Sequence, residues 1–194
     1  MDFINNALYW LTTGMLVPVI VFLLFFFVRS LVLIGGFYGR YVARMKVNVK
    51  IRRSLDDMEV GHFLDTLGDY PADSPLVESL GRMSRFRSSA PALERTIGDY
   101  EIAAAKELGK SKLLVKLGPV LGLMGTLIPM GPALTGLSTG DVAAMAQNMT
   151  VAFATTVVGL VIGTVGFITL QVGQRWHADD MNILEYVAST LNVR

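Results

Sequence analysis

The chain has 194 residues, 52% of them hydrophobic and 17% charged, with a formal net charge of +1 and a mean hydropathy of +0.49. A soluble domain is less apolar than this; here long runs lack charge and one central region concentrates it, the profile of an all-α integral membrane protein with one polar domain. The absence of cysteine excludes disulfides and cysteine metal sites, His62 and His177 lie far apart without ligand spacing and read as solvated surface, and no basic patch interleaved with aromatics points to nucleic acid.

Ala7 to Val28 is the first apolar run, long enough to cross a bilayer. Asp2 precedes it and no Lys or Arg does, so a cleavable signal peptide is not expected. Tyr9 and Trp10 suit the interface. Pro18 removes one helical hydrogen bond and is a candidate kink. Arg29 follows, with a stem long enough to reach the headgroups, and apolar character resumes to Tyr38. Residues 1–38 are thus assigned to a first transmembrane helix and its interfacial extension.

Arg40, Arg44, Lys46, Lys50, Arg52 and Arg53 form a basic cluster. Beside a membrane helix, such a cluster reads as a cytoplasmic anchor on anionic lipid. A polar helical domain, residues 39–111, contains it. Pro71, Pro75 and Pro91 punctuate this domain, with short helices expected at Leu55–Leu67 and Leu76–Phe86. Asp56, Asp57 and Glu59 would sit at a helix start, where the dipole favours acid.

From Ala92 to Lys116 the pattern is helical: Leu93, Ile97, Tyr100, Ala104 and Leu108 recur every three or four residues beside a charged face. One long helix should lead from there into the membrane. Gly109-Lys110-Ser111 resembles the end of a phosphate-binding loop, but Ala104 stands where that loop needs glycine, and the segment reads as helix.

Residues 112–172 form a transmembrane hairpin. Its second membrane helix spans about Leu113–Leu134, and its third starts near Asp141, a candidate N-cap, and runs to about Val172. The link, Thr135 to Gly140, is short enough to force antiparallel packing. Residues 173–194 are a polar helical tail on the cytoplasmic side. With the N-terminus outside, every Lys and Arg lies in or beside the cytoplasm, which is the orientation the positive-inside rule selects.

Within the hairpin, Ala152, Thr156, Gly159, Gly163 and Gly166 share a face, and Gly159–Gly163 is a GxxxG pair suited to close helix packing. Thr155, Thr164 and Thr169 are able to bond back to their own helix carbonyls. Pro129 cannot donate to the carbonyl of Gly125, nor Pro132 to that of Ile128, so two carbonyls near Thr126 need other partners. Hydroxyls hold water or a cation but store no proton near neutral pH. The membrane spans contain no carboxylate or histidine, so a titrating acid must come from another chain.

Pro119 followed by Gly122-Leu123-Met124-Gly125-Thr126 resembles the GLLGT motif of the MotA/TolQ/ExbB proton channel family. Ala154-Thr155-Thr156-Val157-Val158-Gly159-Leu160 resembles that family's third-helix motif. The likeness is specific over about Ala92–Gln171; before that only the layout matches. It implies a homopentameric ring around a dimer of an ExbD/TolR-like single-span partner, whose membrane helix carries an aspartate. Thr126, Thr156 and Thr155 would line the ion path. Gly122, Gly125, Pro129, Gly159 and Gly163 would shape and pack it.

Two positions depart from the family. Val151 stands where relatives carry a glutamate, and Pro129 where a glycine is usual. The short chain, with no flagellar-type insertion, favours the TolQ/ExbB side. The resulting expectation is a non-enzymatic subunit, without cofactor or metal, of an inner-membrane motor driven by the proton-motive force. The alternative is a non-conducting membrane scaffold.

Overall fold

The computed structural model describes residues 2–57, 59–70, 74–87 and 89–192, and these are helical with short connections. Helix α1 covers Asp2–Gly14 and α2 covers Leu16–Asp57. The break between them lies four residues before Pro18. That is where a proline ring leaves a carbonyl without its helical donor. The turn stays tight: the Met15 N–H donates to the carbonyls of both Leu11 and Thr12 at 3.1 Å, and the Val19 N–H to Met15 at 3.1 Å.

Short helix α3 spans Val60–Asp65, a 3-10 turn spans Leu67–Asp69, and α4 spans Pro75–Arg85. Two long helices complete the chain, α5 at Ala90–Thr139 and α6 at Val142–Asn192. At 1.5 Å per residue, 50 residues run about 75 Å, more than twice the roughly 30 Å of bilayer hydrocarbon. Three helices, α2, α5 and α6, include stretches long and apolar enough to cross a membrane.

The chain divides into two compact units. The first comprises residues 1–34 and 110–169. Its core is thin: Leu23, Phe26, Leu114 and Ile162 are buried, with Phe27, Leu33, Leu117, Leu121 and Val158 packed on them. Most large apolar side chains here face outward, Leu123 at 58%, Leu127 at 60% and Phe153 at 69% exposure. Water would not tolerate such a surface, whereas lipid or another apolar helix matches it.

The second unit comprises residues 35–109 and 170–194. It has a conventional core, with Phe63, Leu76, Leu80, Met83, Ile51, Leu184 and Val187 fully buried. Leu76, Leu80 and Met83 recur every three or four residues, which turns one face of α4 into that core.

Several expectations are corrected here. Leu55 belongs to the end of α2, so the predicted helix at Leu55–Leu67 is a helix end, a shorter helix and a 3-10 turn. Asp56 and Asp57 therefore close a helix rather than open one; only Glu59 precedes a start, that of α3. The third membrane helix and the helical tail expected after Val172 form one helix, α6, which runs unbroken to Asn192. His177 is buried at 8% exposure, not solvated, while His62 is exposed. Arg44 does not reach toward lipid: it is ion-paired to the buried Asp180. The side chains of Asp2, Tyr9, Arg40, Lys46, Asp56 and Asp57, and all of Pro71, lie outside the described residues.

Candidate functional site: the glycine-lined hairpin

The hairpin begins with its turn. Gly140 adopts φ +79°, a conformation that costs glycine little. Its N–H donates to Leu137 O at 3.2 Å, and the Asp141 N–H reaches Gly136 O at 2.8 Å. This pair of bonds is a Schellman motif, which satisfies the last carbonyls of α5. Asp141 then caps α6, its Oδ1 accepting the Ala144 N–H at 2.9 Å. Two residues thus reverse the chain, tighter than the six-residue link expected.

Below the turn the two backbones nearly touch. A Cβ placed on Gly118 would lie 2.7 Å from Gly159 O, and one on Gly159 would lie 2.7 Å from the Gly122 Cα. One on Gly125 would meet the Thr155 Oγ1 at 2.6 Å, and one on Gly163 the Pro119 Cγ at 2.9 Å. A Cβ on Gly166 would meet the Leu114 Cβ at 2.8 Å. Successive contacts climb α5 while descending α6, the register of an antiparallel pair. Pro129 and Ala133, four and eight residues beyond Gly125 along α5, are buried as well. Close backbone approach maximises dispersion contact where no hydrophobic effect operates between helices.

The sequence assigned Thr156 to the shared small-residue face. In the structure the Thr155 side chain is buried on that face against Gly125, and the Thr156 Cα lies 3.5 Å from where a Cβ on Gly122 would sit. The Thr155 hydroxyl donates to Ala152 O at 2.9 Å, with Val151 O at 3.1 Å. Thr126 and Thr156 are half-buried at the edge of the seam. Each lies one residue, about 100° of helix, beyond a contact residue, Gly125 or Thr155. Because the helices are antiparallel, the two 100° steps turn toward the same flank of the hairpin. The Thr126 hydroxyl donates to Leu123 O at 2.7 Å and that of Thr156 to Ala152 O at 3.2 Å. With their protons so engaged, the oxygens keep lone pairs that accept from water or contact a cation.

Deeper in the seam, Thr169 donates to the Ser111 hydroxyl at 3.1 Å, both buried. Pro119, Pro129 and Pro132 all lie inside α5. The helix tolerates them, but the carbonyls of Val115, Gly125 and Ile128 get no bond from those nitrogens. From Leu117 to Val172 the only ionisable side chain among Asp, Glu, Lys, Arg and His is Asp141, at the turn. Among the described residues no group of three His, Cys, Asp or Glu is placed to hold a metal.

The second unit holds a site that sequence reading missed. Asp180, fully buried, pairs with the Arg44 guanidinium, accepts the Tyr100 hydroxyl at 2.5 Å and accepts Asn48 Nδ2 at 3.2 Å. Tyr100 also lies 3.0 Å from His177 Nδ1. Arg44 stacks over Trp176, and Phe37 lies flat on Trp176 at 4.9 Å. Burial, partly offset by Arg44, pushes the Tyr100 phenol up to about 12, so it keeps its proton. Tyr100 on an otherwise apolar stripe was the one available signal. Its partners lie 56 to 80 residues away, beyond the reach of any local pattern.

Comparison with known proteins agrees with this architecture. The model of the MotA/TolQ/ExbB proton channel family matches residues 77–185, more than half of the chain. A Methanothermobacter thermautotrophicus protein named as a biopolymer transport protein ExbB homolog is 30% identical over 135 residues, covering 66% of this chain and 48% of the relative. The chain therefore spans about half the length of that curated relative. The matched region takes in α5, the turn and most of α6, where the glycine seam and its threonines lie, and the chain belongs to the MotA/TolQ/ExbB proton channel family.

Proposed function

We propose that this chain is a subunit of an inner-membrane motor complex, driven by the proton-motive force, that energises an envelope or transport process. The observation that carries the reading is the pairing of a sealed glycine seam with Thr126 and Thr156 on one of its flanks. The seam makes the hairpin a rigid stave. The flank offers two hydroxyl oxygens and, nearby, a Gly125 carbonyl released by Pro129. Such groups ease an ion or water file through a low-dielectric layer without binding it tightly.

Several copies, a pentamer in our reading, would surround a dimer of an ExbD/TolR-like single-span protein. That protein's aspartate would supply the titrating acid that these spans lack. Each charge crossing the membrane delivers about 2.3 kcal/mol per 100 mV, so a few ions suffice to move the partner against the ring. In this arrangement the N-terminus faces outward and the second unit lies in the cytoplasm. Thr155 acts as a spacer that sets Thr156 at its angle.

The test is Thr126→Val with Thr156→Val, which keeps shape and removes both hydroxyls. The complex should still assemble with its single-span partner, but reconstituted vesicles should lose proton or sodium flux at least tenfold. Thr→Ser at both positions should restore it. Full function in the double valine variant would leave a non-conducting scaffold as the better reading.

A further inference from the structure

The polar cluster of the second unit constrains its own protons. Tyr100 has one hydroxyl proton and two neighbours that could accept it, Asp180 at 2.5 Å and His177 Nδ1 at 3.0 Å. If the proton went to His177, the 2.5 Å contact between two oxygens would need a proton on Asp180. The ion pair of Asp180 with Arg44 opposes that. The phenol therefore donates to Asp180, and Nδ1 must carry a hydrogen and donate to the phenol oxygen. A neutral imidazole would then turn its Nε2 lone pair toward the Glu107 carboxylate, whose Oε2 is 3.7 Å away. Two electron-rich atoms facing each other at a 10% exposed side chain are unfavourable. A second proton on Nε2 converts that repulsion into an ion pair.

The charged and titratable groups facing His177 include Arg44 from α2, Tyr100 and Glu107 from α5, and Asp180 from α6. Arg44 also donates to the Tyr100 oxygen at 3.4 Å.

We propose that His177 is a proton-binding site, and that its imidazolium clamps α6 to α5 through Tyr100 and Glu107 while Asp180 carries the clamp on to Arg44 of α2. The bound ligand is a proton taken from the solution around this unit. Its loss at raised pH removes the Glu107 contact and loosens α5 from α6. The inference concerns the second unit alone and stands whether or not the hairpin conducts ions.

The chain has only two histidines, and His62 is exposed, which makes it an internal reference. The full-length protein, labelled with 15N-histidine and held in lipid nanodiscs, is read by NMR at pH 7.5. An unperturbed imidazole with a pKa of about 6.5 is roughly one-tenth protonated there. His177 should instead show two protonated ring nitrogens in the majority of molecules. A single neutral tautomer of His177 at that pH overturns the proposal. In Glu107→Gln the His177 titration midpoint should fall by at least one pH unit, and an unmoved midpoint would equally refute the clamp. Hydrogen-exchange protection of residues 97–107 and 174–184 should drop across the wild-type midpoint; protection flat across it would show that the proton holds nothing together.

Discussion

Gly125 and Thr155 face each other so closely that a methyl group on the glycine would lie 2.6 Å from the threonine hydroxyl oxygen. Real side chains do not approach to that distance. Gly125→Ala should therefore force the helices apart and cost about 1–3 kcal/mol. Gly118→Ala and Gly159→Ala should be worse, because their new methyls meet backbone atoms that cannot rotate away. Gly131→Ala, with nothing within 4 Å, is the control and should be neutral or slightly stabilising. Thermal unfolding of the four purified variants in detergent checks the ranking.

The turn makes a separate contribution. Asp141→Ala removes the cap on the Ala144 N–H and should cost about 1 kcal/mol. Gly140→Ala imposes a side chain at φ +79° and should cost about 1–2 kcal/mol. Because the two act on adjacent residues of one turn, their combination should depart from additivity. Melting temperatures of the two single variants and the double variant decide this.

Asp180 tests the second unit. Asp180→Ala leaves the Arg44 guanidinium without its carboxylate in a site where Arg44 is only 14% exposed. Breaking a buried pair from one side typically costs about 3–5 kcal/mol. Arg44→Ala should be as damaging, since it strands the fully buried carboxylate. The joint replacement Arg44→Met with Asp180→Leu should recover a good part of that loss. Chemical denaturation of the three variants is the measurement.

Tyr100 imposes an alkaline limit. Its pKa rises from 10.0 to about 12 through burial, so the folded state holds the phenol proton after the unfolded chain has lost it. Stability tied to this group is intact below pH 10 and is lost as pH climbs through 12. The wild type should melt at progressively lower temperature over that window. Tyr100→Phe should flatten the decline there while lowering stability at neutral pH, because it removes the bond to Asp180. Melting curves between pH 8 and 12 separate the two.

Much of the first unit could be read along the chain. An apolar run of 20 residues has few alternatives to a membrane helix, and Asp141 behind a glycine announces a turn and a cap. Those signals are local, so composition and spacing carry them. α5 also ran unbroken from the charged stretch into the apolar one, as its periodicity indicated. The face assignment was one residue short: Thr155 lies on it beside Thr156, with its side chain against Gly125 and the Thr156 Cα 3.5 Å from where a Cβ on Gly122 would sit. Spacings of three and four approximate a 3.6-residue turn, and only the partner helix decides which of two neighbours it touches.

What the tertiary structure alone decided was the fate of the charges. A histidine and an aspartate in a polar tail, and an arginine in a basic cluster, each look solvated when read singly. They leave water because Arg44, Tyr100, His177 and Asp180 converge from three helices, and together satisfy donors and acceptors that none satisfies alone. Burial of charge is a collective property of a folded arrangement, whereas apolarity and turn geometry belong to each residue and are already present in the unfolded chain.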